Sequence, residues 1–226
     1  MISTSNNIYL ISYASATCGN FVMLVLWSLL EHPEGFHIFS KHGNAHLFNP
    51  YKENWKVDRA STEWKNYHKI VDYTNHLYRL VKPLDDTKPL LLSGHKFPDF
   101  EEFFEMYPNA KLIFIQHSKE DIEHIKKLFY YKITVDMLQL NMPFEEAGID
   151  YVFETINYLP EFIDVDIPEK YKDRTCIIEF RDILNEDSAL LETLGKFVDK
   201  KVTEGIRSMH KNYLDKQPID LSFAKI

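Results

Sequence analysis

The stretch of this chain best suited to chemistry is a run of small residues between two apolar ones. Ile8 to Tyr13 is short, bulky and apolar, Ala14 to Gly19 is small and turn-prone, and Phe21 to Leu30 is almost unbroken apolar sequence. A buried strand, a small-residue loop and a buried helix, in that order, aim backbone N–H groups and a helix N-terminus at one point. Such a point binds anions, phosphate above all. The spacing fits a nucleotide-triphosphate loop only loosely. Ala14 and Gly19 fall on the two glycines of G-x-x-x-x-G-K-[ST], but Asn20 stands at the lysine and Phe21 at the magnesium-binding hydroxyl. No apolar strand ends in an aspartate that would hold Mg²⁺, so an ordinary ATPase or kinase is disfavoured while the anion cradle remains.

Two other groups of residues have chemical potential. Cys18, at a helix N-terminus, is placed for a lowered thiol pKa and nucleophilic attack. Phosphatases of that kind need an arginine six residues further on, and that position is Leu24, so a small residue filling the loop is the favoured reading. His37, His42 and His46 cluster in the punctuated stretch that follows, but their spacing of five and four, with no cysteine near, does not match common zinc sites. They read as solvated loop histidines, and no metal is expected.

The elements that must position these groups follow from periodicity. Ile8–Tyr13, Leu90–Ser93, Lys111–Gln116 and Thr175–Phe180 are apolar runs of strand length, and most are followed by a helical pattern. Phe36 to Phe39 reads as one more short strand. Thr62 to Val81 is predicted to be a helix, because Trp64, Tyr67, His68, Val71, Asn75 and Tyr78 recur at three and four. Asp99 with Glu102, and Ser118 with Asp121, have the spacing of capping boxes that open helices. Ile133 to Tyr158 is helical but broken by Pro143 and Gly148, and Glu161 to Lys172 is expected to be a surface connection. Two amphipathic helices close the chain, around Leu190 to Val198 and around Ile206 to Tyr213. Strands alternating with helices predict a parallel sheet between helical layers, with ligands at the carboxyl ends of its strands. The loops at Ala14–Gly19, Gly94–Phe97 and His117–Ser118 are therefore expected to converge on one pocket.

Composition narrows the class. The chain has 226 residues, 45% of them hydrophobic, enough for one domain with a full core. A net charge of −8 argues against a nucleic-acid surface. Two cysteines and no Asn-x-Ser/Thr sequon point to a reducing, cytoplasmic setting. The apolar run at Phe21 to Leu30 is shorter than the roughly 20 residues that span a bilayer, so a soluble protein with no membrane partner is expected. Sequence says nothing of the oligomeric state.

Three segments together resemble the sulfotransferase family. SYASATCGNFVMLVL resembles the opening strand-loop-helix in which a Y-P-[KR]-S-G-[ST]-[ST] loop grips the 5′-phosphosulfate of 3′-phosphoadenosine 5′-phosphosulfate. SGHKFPDFEEFFEMYPNAKLIFIQHSKEDIEHI resembles the stretch from the T-H-x-P element to the R-D-P-x-D strand-helix junction, and CIIEFRDILNEDSALLETLGKFV is similar to the ending many members share. The three cover about a third of the chain, in the family's order. The resemblance implies a single α/β domain over residues 1–226, a three-layer parallel sheet flanked by helices of P-loop NTPase-like, sulfotransferase type. Residues 32–87 and 133–173, which it does not cover, would wall an acceptor pocket.

What the resemblance implies for the site is specific. His95 falls on the catalytic histidine, taking the proton from an acceptor hydroxyl as its oxygen attacks sulfur; a structural histidine is the alternative. Ser15, Ala16, Thr17, Cys18, Gly19, Asn20 and Phe21 fall on the donor loop, with the N–H groups of Cys18, Gly19 and Asn20 holding the phosphosulfate. His117 and Ile125 fall on the arginine and the serine that bind the 3′-phosphate. The acceptor would be a small molecule or a sugar. The chain also departs from the pattern, since the loop's basic residue is Thr17 or Ser15, depending on the anchor chosen. Lys96, Lys119 and Arg181 are the cations left to restore that charge. The alternatives are a binding module on the same fold with its chemistry lost, and a nucleotide or sugar kinase.

Overall fold

Residues Ile8–Tyr13 form β1, buried along its whole length, and every side chain in it is bulky or fits between sheet neighbours. The computed structural model describes residues 8–14, 17–31, 36–39, 45–48, 77–81, 89–94, 99–129, 159–217 and 220–225. Helix α1, Gly19–Leu29, follows and is apolar on nearly all sides, which is why only Asn20 and Ser28 in it are partly exposed. Strands β2, Phe36–Phe39, and β3, Ala45–Phe48, pair antiparallel as a separate two-stranded ribbon. Next come β4, Leu77–Val81, β5, Leu90–Gly94, helix α2, Phe100–Met106, and β6, Lys111–Gln116. Residues 122–129 form α3. Strand β7, Thr175–Glu179, leads into the one-turn α4, Phe180–Ile183, then α5, Leu190–Phe197, and α6, Glu204–Leu214.

The main sheet has the order β4-β5-β1-β6-β7. The four apolar runs read from sequence are its four parallel strands, with Ile11 opposite Ser93 on one side and Ile113 on the other. The α/β class therefore holds. From β1 the chain goes to β5 on one side and only later to β6 on the other. The carboxyl end of β1 is thus a topological switch point, where the loops after neighbouring strands diverge and leave a crevice.

Alternation along the strands sends side chains to both faces, and over β1 and β6 both are covered, while β7 leaves Ile177 and Glu179 exposed on one face. Ile8, Leu10 and Leu112 join Phe100, Phe103, Phe104 and Tyr107 around α2 in one apolar cluster. Tyr9, Ile11, Ile113, Ile115, Cys176 and Ile178 join α1, α5 and α6 in the larger one.

Three expectations need revision. Leu77 to Val81 is a strand and not the end of a helix: β4 pairs antiparallel with β5, and its backbone groups are better satisfied by that free edge than by a turn of helix. The rest of the expected helix, 62–76, and the segment 133–158 lie outside the described residues. Ala45–Phe48, in a stretch read as irregular, completes a hairpin. Finally, Glu161 to Lys172 is more than a surface connection. Its short 3₁₀ turns bury Phe162, whose ring stacks on Phe114 at 5.1 Å, and Tyr171, which stacks on Phe104 at 4.6 Å.

Candidate functional site

The loop after β1 turns on two backbone features. Thr17 folds back, its N–H and hydroxyl both donating to the Ala14 carbonyl, at 3.2 and 2.7 Å. Cys18 then takes the left-handed conformation, φ 65° and ψ 19°, as the residue preceding α1. A non-glycine residue there carries about 1–2 kcal/mol of strain. A left-handed residue leading into right-handed helix makes a concave nest of N–H groups, the shape that receives an anion. Phe21 and Val22 close the first turn by donating to the Cys18 carbonyl, at 2.9 and 3.2 Å.

Gly19 fills a position that admits no side chain. A Cβ there would fall within the ring of Tyr13, whose side chain is itself buried. Tyr13 reaches across to donate from its hydroxyl to Asn20 Oδ1 at 3.2 Å, tying the end of β1 to the first turn of α1. Gly19→Ala is expected to cost about 1–3 kcal/mol by overpacking. A shift in urea midpoint at unchanged m value measures it; a midpoint equal to the wild type's would mean that the ring moves aside freely.

Helix α6 closes the inner side of this junction. The Tyr213 ring lies parallel to Phe21, 4.0 Å between centroids, and His210 stacks on Phe21 at 5.3 Å. Burial, and then the Cys18 thiol beside it, raise the Tyr213 phenol well above its ordinary pKa. His210 is anchored by its Nε2–H, which donates to the Ile183 carbonyl at 2.9 Å, and burial lowers its pKa, against the opposing pull of that carbonyl, Glu186 and Glu192. Cys18 is only 6% exposed and belongs to the larger core cluster.

The ends of β6 and β7 form a second polar centre. Gln116 and Glu179 are register partners joined by a side-chain hydrogen bond. His117 follows, 2% exposed, with Nδ1 2.9 Å from the Ser118 carbonyl oxygen and Nε2 without a partner among the described residues. Ser118 and Asp121 form the capping box read from their spacing. Ser118 N–H and Oγ–H donate to Asp121 Oδ2 at 3.0 and 2.9 Å, and Arg181 Nε donates to Oδ1 at 2.6 Å.

Burial pushes the Asp121 carboxyl up, but the hydrogen bonds from Arg181 and Ser118 outweigh it and hold the pKa below the ordinary value. A depressed carboxyl stabilises the fold above its unfolded pKa, about 3.9, and that contribution is lost as pH falls through the folded value. The drop in unfolding free energy between pH 7 and pH 3 should therefore be smaller in Asp121→Asn than in the wild type. Equal drops in the two proteins would remove Asp121 from the acid sensitivity.

Several sequence-level candidates are thus placed. Thr17, Cys18, Gly19, Asn20 and Phe21 share one junction, and His117 ends the strand next to it. Ile125 lies on α3, buried in the apolar core, where its side chain presents no polar atom. Ser15, Ala16 and His95, with Lys96, lie outside the described residues. Lys119 is exposed. Sequence reasoning missed Tyr13 and Tyr213, which pack the loop from both sides, and the pairing of Asp121 with Arg181. The spacing of Ser118 and Asp121 was the available signal for the last, but its arginine lies 60 residues from Asp121. Among the described residues no helix is long and apolar enough to cross a membrane, and no three metal-ligating side chains gather. Compared with protein-family models, with characterised proteins and with solved structures, the chain matches none of them.

Proposed function

We propose that this chain is a sulfotransferase-type protein whose loop at Ala14–Gly19 takes the 5′-phosphosulfate of 3′-phosphoadenosine 5′-phosphosulfate. The observation that carries the reading is the strained, left-handed Cys18 leading into α1 at the carboxyl end of the central strand β1. That is where an α/β sheet of this order binds a phosphorylated ligand. In the reaction an acceptor hydroxyl oxygen forms a bond to sulfur as the bond from sulfur to the phosphate oxygen breaks. The hydroxyl proton goes to His95 and the leaving group is adenosine 3′,5′-bisphosphate. The acceptor is a small molecule or a sugar, and no metal takes part.

One observation favours a second reading, a binding module on the same fold. Thr17, Cys18, Gly19 and Phe21 are all buried, none of the described loop residues is basic, and α6 packs Tyr213 against the junction. Thermal melts separate the readings. Stabilisation by adenosine 3′,5′-bisphosphate in the presence of a chelator supports a donor site. Stabilisation by Mg-ATP alone supports a kinase, and no response to either supports the module.

A further inference from the structure

Arg181 stands where β6 and β7 finish together, two residues past Glu179, the register partner of Gln116. One edge of its guanidinium is committed, with Nε on Asp121 Oδ1. Its Nη groups bond to no described residue, and the side chain is 30% exposed. Asp121 is held by Ser118 through its other oxygen and is 3% exposed, so the arginine is anchored to a carboxylate that cannot turn away. A guanidinium fixed along one edge keeps its two terminal N–H groups in a plane that matches two oxygens of a tetrahedral anion.

His117, next to Ser118 in the chain, gives an independent observation. A carbonyl oxygen only accepts, so the Nδ1 that contacts the Ser118 carbonyl must be the donor. In the neutral ring Nε2 then carries a lone pair, and it is buried with no partner among the described residues. Buried polar atoms without partners are rare in folded proteins, and a ligand is one thing that completes them. A lone pair suits a hydroxyl donor rather than a phosphate oxygen.

We propose that Arg181, positioned by Asp121, is the cation that binds a phosphate or sulfate monoester of the ligand, with His117 Nε2 accepting from a hydroxyl next to it. In naming the ligand as the donor nucleotide, this assignment rests on the reading above. The anion site itself stands on the geometry of Arg181, Asp121 and Ser118.

Calorimetric titration with adenosine 3′,5′-bisphosphate, and separately with inorganic phosphate, tests it. Arg181→Lys keeps a cation for Asp121 but loses the fork, and the double variant Asp121→Asn/Arg181→Gln removes both charges without leaving a buried one. Each should weaken bisphosphate binding by about tenfold or more, the effect of losing one charge-assisted contact. The exposed Lys201→Gln should bind as the wild type does, and melting curves report that every variant is folded. Wild-type affinity for the bisphosphate in both Arg181 variants overturns the assignment and leaves the donor reading standing. Phosphate binding that depends on Arg181, with the bisphosphate bound no more tightly than phosphate, upholds the anion site and overturns the donor reading. No binding of either probe to the wild type overturns both.

Discussion

Phe21→Ala is expected to lower the free energy of unfolding by about 3–5 kcal/mol, the range for truncating a fully buried aromatic ring. Phe21 is fully buried, and its ring is the contact through which α1, on the loop side of the sheet, meets both Tyr213 and His210 of α6. The side chains around it belong to elements far apart in the chain, so they cannot all close over the gap at once, and a cavity term adds to the lost burial. Urea unfolding with an unchanged m value measures the loss. A loss under about 1 kcal/mol would mean that α6 does not depend on this stack. The same substitution should loosen the first turn of α1, so ligand binding at the loop is expected to weaken with stability.

His95→Ala is expected to slow sulfuryl transfer by about 10²–10⁴, the usual contribution of a positioned general base. Binding of adenosine 3′,5′-bisphosphate should be almost unchanged, because in the proposed reaction the base would act on the acceptor hydroxyl and not on the donor. The split between rate and binding is the informative part, since damage to the fold would move both. Turnover equal to the wild type's would remove the base role from His95.

Strands β1 and β6 were legible because each is buried on both faces and reads as an unbroken apolar run, whereas β7 was found from its apolar run although Ile177 and Glu179 leave one of its faces exposed. Ile8–Tyr13 and Lys111–Gln116 have the same bounds in sequence and in structure. The failure at Leu77–Val81 has a physical origin. Its aromatic and β-branched residues fit a helix face and a strand equally well, and only the free edge of β5, distant in sequence, decides between them. Tyr171 and Phe162 were hidden by acidic and proline neighbours, because burial of a single ring in a 3₁₀ turn leaves no periodic trace.

At the site, the small-residue loop was visible from composition, but the reason for Gly19 was not. It depends on Tyr13, six residues earlier, folding across the turn to reach Asn20. The partner of Asp121 was equally out of reach. Arg181 was one of three cations near the expected pocket, and its selection came from two strands ending side by side.

The junction from Ala14 to Phe21 is proposed to receive the donor's phosphosulfate. Amide hydrogen exchange, followed with and without adenosine 3′,5′-bisphosphate in the presence of a chelator, tests it most directly. Exchange at Cys18, Gly19 and Asn20 is expected to slow when the ligand is bound, with matching protection at the end of β6. Saturating ligand that leaves exchange in this segment unchanged, or protects only a distant part of the chain, would contradict it.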